Sequence, residues 1–402
     1  MARPRSHGWR GRYVSVAYTH APSDPRIRRH CEALAREGWH VIQLGLGVEG
    51  EQHVGRLNGV VLVRWHRPRY RGGRLLRYAV SYLGFFLWVR ALLARLSRAR
   101  GVQVVQVNNV PTFLVWAARV VRNRGGGVVL DLHDPEPELF LSKFGGRPGA
   151  RLVARGLALH ERLAAGQAGL VLCVHEQHRA VTQTHGVPGI RLRTIINLAD
   201  DRLFPLSPPR RAGPFVAFHG TVARRMGLDL VLGGIRSLID RGVALRMAIW
   251  GDGDATGELR QLRDRLGLSS VVEIPARRFR PDELKGLLTR VGLGIVPIRR
   301  DTFTDVMLPT KLLEYVRLGI PAVVTWTPTI AQYFPDEAVY YVKDMSAAAV
   351  ADAVARALAD PEEAQNRVRR AQALPIACSW QDREGEYVKL IEEAANCGHS
   401  TS

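Results

Sequence analysis

The feature that most constrains this chain is a repeated alternation. Short apolar runs are each followed by a helical stretch that often ends at a glycine. Runs at 13–18, 40–47, 60–66, 102–107, 128–132 and 169–174 precede a Pro-rich basic linker at 205–214. Runs at 215–218, 244–250, 271–274, 292–297 and 322–325 follow it. Apolar runs of this length, spaced by helices, make buried parallel strands of a doubly wound α/β sheet. A chain of 402 residues holds two such domains, each with its own core. The expected boundaries are 1–207 for the first and 214–376 for the second. Helices are expected at 26–37, 75–98, 113–122, 149–166, 175–185, 227–240, 256–266, 281–291, 345–358, 361–374 and 379–394, with one more after Pro309.

Residues 308–325 change character twice. Pro309 suits the first helical turn, with Thr310 or Thr304 as a capping oxygen, and Lys311, Leu312, Leu313, Tyr315, Val316 and Leu318 follow at helical spacing. Gly319 and Pro321 stop the helix, and 322–325 read as a strand. A loop feeding a helix start is a natural anion site. Lys311 and Glu314, three apart, share one face and can hold a diphosphate and a diol side by side, the chemistry of a nucleotide-sugar donor. The same spacing also suits a surface ion pair.

Upstream, 218–227 is a second anion candidate. Gly220 lets backbone approach a ligand, with Thr221 beside it, and Arg225 or Arg224 offers a planar fork to phosphate. Gly251-Asp252-Gly253-Asp254 lacks the third glycine of a dinucleotide fingerprint. In the first domain Asn109 and the acids and histidine of 133–138, His133 and Asp134 among them, lie at strand ends, where α/β folds bind ligands. Turn chemistry accounts for the same residues. Asp24 fits a helix cap with Pro25 at the first helical position, and Arg26 follows.

The stretch Pro309-x-Lys311-x-x-Glu314-Tyr315, followed by Gly319-x-Pro321 and a Val-rich strand, resembles the donor-site signature of retaining GT-B glycosyltransferases of family 4. The resemblance runs over nearly the whole chain. It implies two facing Rossmann-like doubly wound domains, with a C-terminal helix (378–395) crossing back to the first. It implies that Glu314 binds the donor ribose while Pro309, Thr310 and Lys311 face the phosphates. Gly220, Thr221, Arg224 and Arg225 would flank the same diphosphate, and Gly251 and Gly253 would line the donor cleft. Asp24 and Arg26 resemble an Asp-Pro-Arg acceptor-cleft signature, and Asn109 and Asp134 join them there. His133 resembles a histidine that meets the transferred sugar or the acceptor. His133, Arg225 and Lys311 are the catalytic candidates, with charge stabilisation of the leaving diphosphate and no protein nucleophile. Val306 stands where many members carry a second Glu, and Asp305 and Asp301 lie near it. This departure leaves open a non-catalytic subunit that binds a nucleotide or a partner enzyme. A third possibility, a sugar-nucleotide epimerase, lacks an identifiable acid and base pair.

Net charge is +20, from 57 Lys and Arg against 37 Asp and Glu, which favours anionic partners. The arginines are dispersed rather than clustered with aromatics, which argues against nucleic acid. Cys31, Cys173, Cys378 and Cys397 form no CxxC pair and imply a reducing compartment without a metal site. No cofactor is expected beyond the nucleotide diphosphate sugar as donor substrate. The acceptor expected is a glycan, a lipid-linked intermediate or a small molecule. The basic N-terminus, 1–12, has no apolar signal core, and no uninterrupted apolar stretch reaches bilayer length, so a cytoplasmic protein is expected. The aromatic-rich helix 75–96, interrupted by Arg77, Arg90 and Arg95, fits packing on the sheet and also peripheral contact with an anionic membrane at its inner face.

Overall fold

A computed structural model describes residues 10–66, 75–99 and 101–399, so most of the basic N-terminus lies outside the described residues, as does the Arg77 side chain. The chain divides into two compact units. One takes the residues up to Asn197 and those from Arg383 onward, and the other takes Leu198–Asp382.

In the first unit β1 (Arg12–His20), α1 (Pro25–Arg36), β2 (His40–Leu46), β3 (Val54–Leu57), β4 (Val60–Trp65), α2 (Leu75–Ala99) and β5 (Val104–Asn108) come in turn. They are followed by α3 (Arg119–Arg122), β6 (Gly127–Leu132), α4 (Glu136–Phe144), α5 (Ala150–Ala165), β7 (Leu170–Cys173), α6 (Glu176–Thr184) and β8 (Leu192–Thr194). The sheet order is β3-β4-β2-β1-β5-β6-β7-β8. Only the edge hairpin β3–β4 is antiparallel among its pairs. Val14, Val16, Val105, Val107, Leu130 and Val171 fill one face of this sheet, fully buried.

The second unit contains β9 (Phe215–His219), α7 (Leu228–Asp240), β10 (Arg246–Trp250), α8 (Thr256–Arg265), β11 (Val272–Glu273), α9 (Pro281–Leu288), β12 (Leu293–Val296) and α10 (Thr310–Arg317). After these come β13 (Ala322–Thr325), α11 (Pro328–Tyr333), β14 (Tyr340–Val342), α12 (Ala347–Ala359), α13 (Pro361–Gln372) and α14 (Trp380–His399). Its six strands are all parallel, in the order β11-β10-β9-β12-β13-β14. From Arg383 on, α14 belongs to the first unit.

Several local expectations change. The linker belongs to the second unit: the N–H groups of Ser207 and Arg210 donate to the carbonyls of Arg317 and Gly319, 2.7 Å each. The buried Arg317 guanidinium donates to the Phe204 and Ala377 carbonyls and pairs with Asp201. Residues 113–122 form a 3-10 segment (Thr112–Ala118) before the short α3 instead of one α-helix. Residues 133–138, for which turn chemistry is one of two readings, lead into a helix, α4, over 136–144, and Pro137 in its first turn sacrifices no hydrogen bond. Pro309 is the N-cap of α10 rather than a helical residue, and neither Thr310 nor Thr304 caps it. The Thr304 hydroxyl donates to the Arg299 carbonyl at 2.7 Å.

Val80–Ala99 is, among the described residues, one helical stretch whose length and mean hydropathy of 1.3 suffice to cross a bilayer, contrary to expectation. Its two central arginines are outweighed by Phe, Trp and Leu. Phe85, Val89 and Leu93 are nonetheless fully buried in the core beneath the sheet.

Candidate functional site

The second unit gathers the expected donor residues at the C-terminal ends of β9 and β10 and the start of α10. α10 is held there by Tyr315, whose hydroxyl donates to the Ala217 carbonyl of β9 at 2.8 Å. The Tyr315 ring lies over Gly294, where a Cβ would come within 2.5 Å of it. This docking carries Lys311 to the end of β9. Its Nζ stands 3.8 Å from the Phe218 ring centroid and 4.0 Å from Met226 Sδ. Burial lowers the Lys311 pKa to about 7, with Arg225 adding to the fall and Glu314 opposing it.

Gly220 follows with φ +111°, a conformation suited to glycine, and a Cβ there would lie 3.5 Å from Lys311 Nζ. The loop after β10 runs against it backbone to backbone. Gly220 N–H donates to the Trp250 carbonyl at 2.9 Å and Val222 N–H to the Asp252 carbonyl at 3.2 Å. Cβ atoms at Gly251 and Gly253 would sit 1.8 and 2.1 Å from the Gly220 and Val222 carbonyl oxygens. These two glycines therefore serve the contact between the loops. Thr221 is exposed at the turn.

Arg225 is half-buried, with its Nε out of reach of any hydrogen-bond acceptor and its guanidinium 5.9 Å from the Phe303 ring centroid. Arg224 instead points outward and pairs with Glu258. Glu314, one turn into α10, has Oε2 3.3 Å from Nε2 of His219. His219 is 4% exposed, and its Nε2 makes no aligned hydrogen bond. Burial and the neighbouring Lys311 lower its pKa to about 3, so the ring is neutral. Sequence reasoning passed over His219; its signal was a polar residue ending an apolar strand just before Gly220. The two acids near Val306 are engaged locally: Asp305 pairs with Arg300 at 2.8 Å, and Asp301 accepts from the N–H groups of Phe303 and Thr304.

In the first unit the expected acceptor residues lie at the ends of the neighbouring strands β1, β5 and β6. They rest on a buried network that the sequence did not announce. Asp131, fully buried on β6, accepts from Arg26 Nε at 3.1 Å and Nη2 at 2.8 Å. Gln106 donates to it at 3.1 Å, and the rings of His30 and His133 lie 3.5 and 3.3 Å away. Burial pushes the Asp131 pKa up, but Arg26 and His133 outweigh it and hold the carboxyl well below its usual range. Burial alone would lower the His133 pKa, yet Asp131, with help from Asp24, raises it. Arg26 is thus committed to Asp131 and to the Ile195 carbonyl at 2.8 Å.

Asp24 caps α1, accepting from the N–H groups of Arg26 and Ile27. Asn109 fastens the next loop, accepting from His133 N–H at 2.6 Å and donating to the Asp134 carbonyl at 2.8 Å. His133 keeps 18% of its side chain exposed above the network, and Asp134 is half-buried. Tyr387, on α14, closes the network from below by donating to Gln106 Oε1 at 2.8 Å.

Two Rossmann-like parallel sheets, with basic groups and a carboxylate at the strand ends of the second, define a chain of GT-B architecture. Residues 23–197 match the glycosyl transferase 4-like domain, and residues 213–360 match glycosyl transferases group 1. The chain belongs to the GT-B glycosyltransferases carrying these two domains.

It is 30% identical over 155 residues to the Escherichia coli (strain K12) protein named "Putative colanic acid biosynthesis glycosyltransferase WcaL", a match spanning 38% of each chain. The Salmonella typhimurium protein of the same name is 32% identical over 106 residues, 26% of each chain. The matched regions thus take in well under half the length of these relatives. Among solved structures, the catalytic domain of Arabidopsis thaliana starch synthase IV, bound to ADP and acarbose, superposes with TM-score 0.69 at 13% identity, covering 96% of this chain and 99% of that one. HepE from Anabaena, in complex with UDP and glucose, gives 0.64 at 13%, covering 96% and 98%. Trehalose 6-phosphate synthase from Burkholderia multivorans gives 0.72 at 13%, covering 98% of each.

Proposed function

We propose that this protein transfers a sugar from a nucleotide diphosphate sugar, with retention of anomeric configuration and without a metal ion, to a glycan, lipid-linked or small-molecule acceptor. The observation that carries the reading is the cluster at the start of α10. Lys311 and Arg225 crowd positive charge beside a glycine turn, and Glu314 stands one turn away. A diphosphate entering there relieves the repulsion between the two cations. Glu314 then accepts from the ribose hydroxyls, displaced toward them from His219. The cations also stabilise the negative charge that grows on the diphosphate as the glycosidic bond breaks. In the first unit His133, its pKa raised by Asp131 against the effect of burial, is the group offered to the sugar or acceptor, with Asp24, Asn109 and Asp134 around it. The colanic acid biosynthesis name of the relatives supports a polysaccharide product. A cytoplasmic place of work, peripheral to the inner face of the membrane, belongs to the same proposal.

A second reading is a non-catalytic subunit that binds a nucleotide or a partner enzyme. Val306 favours it, because the two nearby acids are tied to their own loop. Differential scanning fluorimetry against UDP, GDP, ADP, TDP and their sugars, with and without magnesium, tests the proposal. A rise in melting temperature with one nucleotide series, independent of magnesium, is expected, followed by turnover of that sugar nucleotide. Stabilisation without turnover on any acceptor would support the subunit reading. No shift with any nucleotide would remove the donor assignment.

A further inference from the structure

α5 carries its apolar residues on the opposite face from a helix that packs only on its own domain. Its inward face is small, with Ala150, Ala154, Ala164 and Ala165 buried around Glu161. Its bulky residues point out: Leu152 is 72% exposed, Leu159 and Leu163 are each 54% exposed, and Val153 is 48% exposed. Among the described residues thirteen large hydrophobic side chains are exposed. Four of them lie on this one helix, and Phe144 lies just before it, so the exposure is concentrated rather than scattered.

The spacing orders this surface. Leu152, Gly156, Leu159 and Leu163 succeed one another at intervals of four, three and four, which is a single stripe along a helix. Arg151, Arg155 and Arg162 each precede a member of that stripe by one residue, so they form a parallel row beside it, and all three are exposed. Lys143 and Arg147 extend the positive charge toward α4. Between Lys143 and Gly166 the one acid is Glu161, which is buried and bonded to His185 at 2.7 Å. The outer face therefore presents leucines and arginines with no carboxylate among them.

We propose that this face of α5, with Lys143, Phe144 and Arg147, docks on the surface of an anionic lipid bilayer. The leucine stripe enters the boundary between headgroups and acyl chains, and the arginine row meets the lipid phosphates, its aliphatic stems lying along the apolar surface. A second copy of the chain fits this face poorly. A two-fold contact would set the arginine row close to its own copy with no exposed acid to answer it. α2, where the sequence placed a membrane contact, is built differently. Among its described side chains the exposed Val80, Leu83 and Leu87 come first, and Arg90, Arg95 and Arg98 follow further along the axis, so there no apolar stripe runs beside a basic one. The proposal rests on the peripheral membrane placement proposed above and gives it a surface, and it is independent of the donor site.

Flotation of the full chain with phosphatidylcholine vesicles, and with vesicles of equal parts phosphatidylcholine and phosphatidylglycerol, tests it. Binding to the mixed vesicles alone, weakened by added salt, is expected. Leu159→Asp with Leu163→Asp should weaken it at least about tenfold. Arg151→Glu with Arg155→Glu should remove the salt-sensitive part, whereas Leu83→Asp on α2 should leave binding intact. Unchanged melting temperatures and unchanged nucleotide-induced shifts in these variants separate loss of docking from loss of folding or of the donor site. No binding of the unsubstituted chain to mixed vesicles overturns the proposal, as does binding that survives the α5 substitutions. A dimer that the Leu159→Asp, Leu163→Asp variant dissociates, without vesicle binding, overturns it in favour of self-association.

Discussion

The strand ends of the two units treat buried charge in opposite ways. In the first, Asp131 is surrounded by a two-point guanidinium contact, an amide and two histidines, so its charge is answered inside the protein. In the second, Lys311 sits over an aromatic ring, and burial and the nearby Arg225 lower its pKa, with Glu314 offsetting only part of the fall. The first arrangement is complete without a ligand and holds a sheet and a helix together. The second is electrostatically unfinished and gains from an incoming anion. Crowded, half-buried cations that one carboxylate only partly offsets mark a binding site better than a fully bonded network does.

The largest effect that can break this contrast is expected in the first unit. Asp131→Asn leaves Arg26 buried opposite a neutral side chain and should cost about 3–5 kcal/mol of stability, read as a lowered urea midpoint. Nucleotide-induced stabilisation, measured where the variant is folded, should survive. Its loss would show that the network serves the donor site as well.

Glu314→Ala should do the reverse. The melting temperature of the free protein should move little, while donor affinity falls about tenfold to a hundredfold, the worth of one or two charge-assisted hydrogen bonds, in calorimetric titration. An unchanged affinity would remove Glu314 from the donor site.

The finest test is pH. A protonated Lys311 binds an anion better, and a bound diphosphate raises the lysine's pKa above its free value of about 7. Donor affinity is therefore full below about pH 7 and falls with rising pH until the pKa of the complex is passed, by up to about tenfold per unit. Lys311→Arg, which stays charged, should flatten that slope. A slope unaltered by the substitution would assign the titration to another group.

Much of this was legible in the sequence because it rests on local pattern. The strands announce themselves as apolar runs, and 322–325 is bounded as expected because glycine and proline precede it. Lys311, Glu314, Gly220 and Arg225 meet because helix periodicity and strand-end loops set their directions. Elements hidden by proline or by shortness were missed: α4 and α11 begin with Pro near their first turns, and β3 and β14 are only four and three residues long. Asp131, His219 and Gln106 were missed for another reason. Each lies in an otherwise apolar strand, and its partners come from distant parts of the chain, Tyr387 lying 281 positions from Gln106. Arg26, read as facing a ligand, is drawn inward because burying Asp131 demands a cation.

α14 carries a consequence for the order of events during synthesis. Tyr387 donates into the network at Gln106 and meets the Tyr13 hydroxyl at 3.0 Å, and a Cβ at Gly127 would lie 2.1 Å from the Ala394 carbonyl oxygen, so this helix lies directly on β6. The first unit is therefore translated first and finished last. Its interior waits with an open seam on the ribosome until the whole of the second unit has emerged, which makes that interval the one in which a chaperone has something to hold.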